Sequence, residues 1–85
     1  MPRLIPAAER IVRARALIQK ARDLPVPAAG RYDLSYIAQV KEILQQARDL
    51  IKFIPYTPTA TDEMKNEVKK IFEEADWANK EILHG

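Results

Sequence analysis

The only histidine in the chain is the first candidate for metal or acid–base chemistry. His84 follows Glu81 by three residues. That spacing occurs in the di-metal sites of helical bundles, but such a site also needs a second Glu-x-x-His pair and two further inward glutamates. The other glutamates lie off the apolar helix faces described below, and a metal ion needs several convergent ligands. We therefore expect no metal site.

The remaining residue types offer no catalytic combination. The chain has no cysteine, which excludes disulfides, thiolate metal sites and cysteine nucleophiles. Ser35 is the only serine, and no histidine lies near it in sequence, so no nucleophile–base pair is indicated. Gly30 and Gly85 are the only glycines, which excludes a glycine-rich phosphate loop. We expect a non-enzymatic protein with no catalytic residues, no cofactor and no small-molecule substrate.

Length and composition predict one small helical domain. With 85 residues, 47% apolar and 31% charged, the chain can bury one core and is too apolar to be disordered. Its apolar runs are too short to span a membrane, and residues 1–6 lack the apolar segment of a signal peptide. Because the absence of cysteine suits a reducing compartment, we expect a cytoplasmic protein. The length predicts a single domain over residues 1–85. One serine, few amides and prolines confined to predicted loops are typical of thermophile proteins.

Two proline-rich segments divide the chain into three predicted helices. Proline lacks an N–H donor and disfavours helix in the residue before it, so residues 25–30 and 55–58 should interrupt the helical pattern. The apolar spacing predicts helices at about 6–24, 33–54 and 61–83. Each is about 30 Å long, and together they fit an all-α, antiparallel up-down-up bundle of three helices.

Residues able to cap these helices stand at their predicted starts. Pro6 suits the first turn of the first helix. Asp33 or Ser35 can accept a hydrogen bond from the free amides at the start of the second. Thr61 can do the same for the third, with Thr59 as the competing cap. Both pairs of alternatives remain open from the sequence.

Apolar residues recur three or four positions apart in each predicted helix, as expected for one buried face. The predicted inward faces are Leu4, Ala7, Ile11, Ala14, Ile18 and Ala21 in the first helix, Ile37, Val40, Leu44, Ala47, Ile51 and Ile54 in the second, and Met64, Val68, Ile71, Ala75, Ala78 and Ile82 in the third. A second row on the second helix, formed by Tyr36, Ile43 and Leu50, makes its apolar face wider than a single seam.

Residues 14–24 and 40–50 echo each other at a spacing of 26 residues. That period is shorter than those of the common helical repeats, and only two copies are clear. The echo has two interpretations. One is duplication of a helix, and the other is a similar demand on two helices that pack in the same core.

Charge is unevenly distributed, although the net charge is only +2. Residues 1–24 carry six basic and two acidic side chains, whereas residues 60–85 carry four basic and seven acidic ones. A basic first helix and an acidic last helix should attract each other, within one chain or between two.

The basic helix also supports an alternative function, the binding of nucleic acid or another polyanion. Its contacts would be Arg3, Arg10, Arg13, Arg15, Lys20 and Arg22, although these form no continuous strip and no aromatic residue is interleaved with them.

Several large apolar residues fall outside the predicted core faces. Trp77 lies about 140° from the centre of the third helix's apolar face, and Phe53 and Val12 are similarly displaced on theirs. Together with the second row of the second helix, they exceed the apolar surface that three short helices can enclose. We therefore expect a non-catalytic helical interaction or assembly module, whose partner is either itself, as a homo-oligomer, or a larger protein. No membrane partner is expected. The predicted interface residues are Val12, Tyr36, Ile43, Leu50, Phe53 and Trp77.

Overall fold

A computed structural model describes residues 6–30 and 32–84 of the chain. Its elements, in chain order, are α1 (Ala7–Asp23), α2 (Leu34–Ile51), a short 3-10 helix (Ile54–Tyr56) and α3 (Asp62–His84). α1 and α3 run in one direction and α2 in the other, and all three helices pack against one another. The predicted all-α three-helix bundle is therefore confirmed. Within the described ranges, no helix is long and apolar enough to cross a membrane.

The core combines branched aliphatic side chains with alanines from every helix. Alanines at the helix contacts let the backbones approach closely, and the aliphatic side chains fill the space between them. The fully buried alanines are Ala14, Ala21, Ala47, Ala75 and Ala78. The largest fully buried side chains are Val40, Leu44, Ile51, Ile54, Val68 and Ile71. These residues are the members of the predicted inward faces that become most completely buried.

The core face of α2 is rotated from the predicted one at its first turn. Tyr36, predicted to line a protein interface, is only 6% exposed and belongs to the core, so that part of the prediction is wrong. Ile37, predicted to point inward, is only half-buried. The reason is that α2 packs more extensively against α1 than against α3, which moves the centre of its buried face toward α1.

The second helix also ends earlier than predicted. α2 stops at Ile51 instead of continuing to Ile54. Pro55 explains the difference, because its ring would clash with the carbonyl of Ile51, four residues earlier, and it has no N–H to donate to that carbonyl. The chain instead forms the 3-10 helix, in which the backbone N–H and the hydroxyl of Thr57 both donate to the Ile54 carbonyl.

Side-chain caps and a glycine turn set the starts of the last two helices. Gly30 has a φ of +91°, a region that favours glycine, and closes the turn that leads into α2. The Asp33 carboxylate then accepts a hydrogen bond from the Tyr36 backbone N–H at 3.0 Å. The Thr61 hydroxyl accepts from the Met64 N–H at 3.1 Å in the same way. Of the alternatives open from the sequence, Asp33 and Thr61 are therefore the caps.

Replacing the cap of α3 should destabilise the protein measurably. We expect Thr61→Ala to lower the free energy of unfolding by about 1 kcal/mol, because it leaves the Met64 N–H without its side-chain acceptor. Thr59→Ala is the matched control and should change it by less than about 0.5 kcal/mol, since Thr59 is exposed and caps no helix. Urea denaturation followed by circular dichroism measures both. Equal losses in the two variants would contradict the assignment.

The bundle is thin, because α3 packs on only one side of the α1–α2 pair. The Cα atoms span 46 × 30 × 16 Å. Helices pack with their axes about 8–10 Å apart, so the shortest dimension corresponds to two layers of helices. One layer is the antiparallel α1–α2 hairpin and the other is α3. The hairpin therefore has a second face, which no described helix covers.

Candidate protein-binding groove

Ion pairs show which side of α1 faces α3. The Arg15 Nη2 atom lies 2.6 Å from Oε2 of Glu67 and 3.8 Å from Oε1 of Glu74. Arg22 pairs with Glu81 further along the same two helices. The attraction predicted between a basic first helix and an acidic third helix thus operates within the chain. These side chains are partly exposed, so each pair contributes at most about 1 kcal/mol, and their main effect is to orient the helices.

The same ion pairs divide the residues predicted to bind a polyanion. Arg15 and Arg22 face carboxylates of α3, which a polyanion would have to displace. Arg3 lies outside the described residues. The side of α1 that faces away from α3 carries Arg10, Arg13 and Lys20. Within the described part of α1, the basic side chains therefore occupy two opposite sides of the helix, and polyanion binding stays a prediction.

A groove runs between α1 and α2 on the side away from α3. Leu17 lies about 160° around α1 from Arg15, the residue that contacts α3. Leu50 lies at the same angle around α2 from Arg48, which donates a hydrogen bond to Asp76 of α3 at 3.1 Å. Leu17 and Leu50 together line two adjoining open depressions of about 480 and 410 Å³. We call this surface the α1/α2 groove.

The floor of the α1/α2 groove is apolar. Leu17 and Leu50 are only half-buried, although both pack against the core. Ile43 lies two turns before Leu50 on the same side of α2 and is half-buried in the same way. Leu24 follows Leu17 by seven residues and is also half-buried. Large aliphatic side chains left partly exposed in one row form a site that a further apolar helix face can cover.

The two edges of the groove carry opposite charges. The basic rim, on α1, consists of Arg13 and Lys20, which line the smaller depression, and Arg13 pairs with Glu9 on the same edge at 2.9 Å. The acidic rim, on α2, consists of Glu42 and Asp49, spaced by two helical turns. The Gln45 amide donates to Asp49 at 2.9 Å, and this hydrogen bond, followed by the nearby Lys52 ammonium, lowers the pKa of the Asp49 carboxyl. Both acidic side chains and both basic ones are exposed.

Three predicted interface residues are exposed but lie on separate surfaces. Val12 is 66% exposed, and Phe53 and Trp77 are each 62% exposed. Phe53 stands in the turn after α2, with the Lys52 ammonium 5.1 Å from its ring centroid. Trp77 lies about 22 Å along α3 from the start of that helix, in an open depression lined by charged residues. Their roles in binding stay predictions, and they do not form one patch.

Only part of the predicted interface coincides with the groove. Ile43 and Leu50 contribute to its α2 wall. Leu17, on the α1 wall, was not among the predicted interface residues. The available signal was the internal echo, which aligns Leu17 with Ile43 and Leu24 with Leu50. The echo could not show that the two rows lie side by side, because that depends on how the helices pack.

Metal chemistry finds no support in the described part of the chain. Its His, Cys, Asp and Glu side chains form no group of three or more that could hold a metal ion. His84 is the last residue of α3, and its side chain is outside what the structure describes.

Comparisons with protein-family models, with curated proteins and with solved structures find no match to this chain. Its function therefore has to be inferred from the groove itself.

Proposed function

We propose that this chain is a non-catalytic helical interaction module and that the α1/α2 groove is its binding surface. The observation that carries the proposal is the position of Leu17 and Leu50, which line an open depression on the face of the hairpin that α3 does not cover. Two antiparallel helices with an apolar floor between them can hold a further amphipathic helix, as in four-helix packing. A helix supplied by another polypeptide would complete that arrangement.

Burial of the groove provides the driving force for binding. A fully buried Leu or Ile side chain contributes about 1.5–3 kcal/mol relative to an exposed one. Leu17, Ile43 and Leu50 are half-buried, so each has part of that free energy left to gain when a partner covers it. The charged rims are exposed and contribute chiefly to the choice and orientation of the partner. The groove therefore combines an apolar site for affinity with charges for specificity.

Site-specific photo-crosslinking tests the proposal. A photoreactive phenylalanine analogue at position 50 places the reactive group in the groove. The same group at position 41 is the matched control, because Lys41 is exposed and lies about 180° around the same helix from Leu50. Both variants are irradiated as purified protein and in an extract of the native cell.

We expect crosslinked polypeptide products from position 50 and none from position 41. A product containing two copies of this chain and a product containing another polypeptide would each support an interaction module. The absence of any product from position 50, in purified protein and in extract alike, would overturn the proposal. Equal products from both positions would show that the groove is not the binding surface.

A further inference from the structure

We propose that the occupant of the α1/α2 groove is a second copy of this chain, bound about a two-fold axis parallel to the helices. This inference rests on the proposed interaction function and specifies its partner. In such a dimer the two hairpins face each other, and α1 of each copy lies over α2 of the other. The two α3 helices remain on the outside, where they already pack.

The groove has the shape that a self-complementary interface requires. A two-fold interface uses the same patch on both copies, so the patch must fit itself. Residues 14–24 of α1 and 40–50 of α2 correspond at a spacing of 26, which aligns Leu17 with Ile43 and Leu24 with Leu50. The two walls therefore present similar rows of aliphatic side chains, and either wall can pack against the other.

The charges of the two walls are repeated only in part, because Asp49 of α2 corresponds to Asp23 of α1, and the remaining differences select one arrangement. Arg13 and Lys20 of α1 correspond to Gln39 and Gln46 of α2, whereas Glu42 of α2 corresponds to an alanine of α1. A two-fold axis parallel to the helices places the basic rim of each copy over the acidic rim of the other. An axis across the helices would place like rims together. Charge complementarity therefore favours the parallel axis, which also makes facing helices antiparallel.

The register of the hairpin identifies the pairs that would meet. The residues that share the two depressions place α1 residues 10–20 beside α2 residues 46–50. A rotation about an axis parallel to the helices leaves the position of each residue along that axis unchanged. Lys20 of one copy then faces Glu42 of the other. Arg13, which pairs with Glu9 in its own chain, faces Asp49, which pairs with Lys52. Each pair occurs twice in the dimer.

The area of the hairpin face indicates a weak dimer. Helices of 17 and 18 residues are about 26 Å long and about 10 Å wide, so two of them cover about 500 Å² on each copy. The total of about 1,000 Å² is at the lower end of specific protein interfaces. We therefore expect association at micromolar to near-millimolar concentrations instead of a permanent dimer.

Sedimentation equilibrium of the full chain, from about 10 µM to about 1 mM, tests the inference at the concentrations that such an interface predicts. We expect a monomer–dimer equilibrium for the unaltered chain. Leu17→Glu should weaken it at least about 100-fold, because the dimer would bury two unpaired carboxylates. Ala8→Glu is the control on the outer face of α1, about 180° around the helix from Leu17, and should leave it unchanged. Circular dichroism checks that both variants stay helical.

A charge exchange at exposed rim positions tests the axis without disturbing the core. Lys20→Glu and Glu42→Lys should each weaken self-association about tenfold, because each homodimer then contains two like-charge pairs. An equimolar mixture of the two variants should recover the affinity of the unaltered chain. In the mixed dimer, the glutamate at position 20 of the first variant faces the lysine at position 42 of the second. Lys20 of the second variant faces Glu42 of the first, so both pairs attract.

Three outcomes would overturn the inference. The first is a chain that stays monomeric at about 1 mM, the upper end of the expected range of dissociation constants. The second is equal weakening by Ala8→Glu and Leu17→Glu. The third is a mixture that associates no better than its components. If the chain is monomeric but position 50 crosslinks to another polypeptide, the interaction function stands and only the second copy is excluded.

Discussion

Leu44→Ala is expected to lower the free energy of unfolding by about 2–5 kcal/mol. Leu44 is fully buried near the middle of α2 and is among the largest such side chains in the core. Its truncation removes apolar contacts and leaves a cavity that the surrounding helices can close only in part. A domain of this size has a total stability of about 5–10 kcal/mol, so the variant should be partly unfolded near physiological temperature.

Leu34→Ala is the control for that substitution in the same helix. Leu34 is exposed in the first turn of α2, so the same change of side chain should alter stability by less than about 0.5 kcal/mol. Urea and thermal unfolding followed by circular dichroism give both values. Losses of similar size at the two positions would show that Leu44 is not in the core.

Ala47→Leu should destabilise the protein for the opposite reason. Ala47 is fully buried on the core face of α2, one turn after Leu44. Adding three carbon atoms there forces the neighbouring helix apart or displaces side chains from their preferred rotamers, at a cost of about 1–3 kcal/mol. The gain in buried apolar surface and the good helix propensity of leucine do not offset that cost in a close-packed core.

Ala38→Leu is the matched control for overpacking. Ala38 is exposed on α2, and leucine is nearly as good a helix former as alanine, so the free energy of unfolding should change by less than about 0.5 kcal/mol. The same denaturation experiments apply. If Ala47→Leu proved neutral or stabilising, the helices at that level of the bundle would be further apart than the structure places them.

Most of the fold could be predicted from local sequence patterns. Proline positions and three-four apolar spacing located three helices, and the starts of α1, α2 and α3 agree with prediction to within one residue. These features act over a few residues, so they do not depend on the rest of the chain. The predicted end of α2 was wrong because Ile54 fits the apolar spacing and so extends the helical pattern. Pro55 has no N–H to donate to the Ile51 carbonyl, which ends the helix there.

The candidate site was less predictable. Trp77, Phe53 and Val12 were correctly expected to lie outside the core, because a helical face can be read from spacing alone. Tyr36 was misplaced because the centre of a helix's buried face depends on how much area each neighbour covers, and α1 covers more of α2 than α3 does. The pairing of Leu17 with Leu50 was missed because the two residues lie on different helices.

Periodicity, proline and caps in the sequence by themselves determined that the chain forms three amphipathic helices and which residues line most of the core. They act through local sterics and through the burial of apolar faces, which any compact arrangement of the helices must satisfy. Tertiary packing alone decided that α3 covers one face of the α1–α2 hairpin and that Leu17 and Leu50 meet on the other. That choice depends on contacts between residues far apart in the chain, and no local pattern encodes which side of a hairpin stays open.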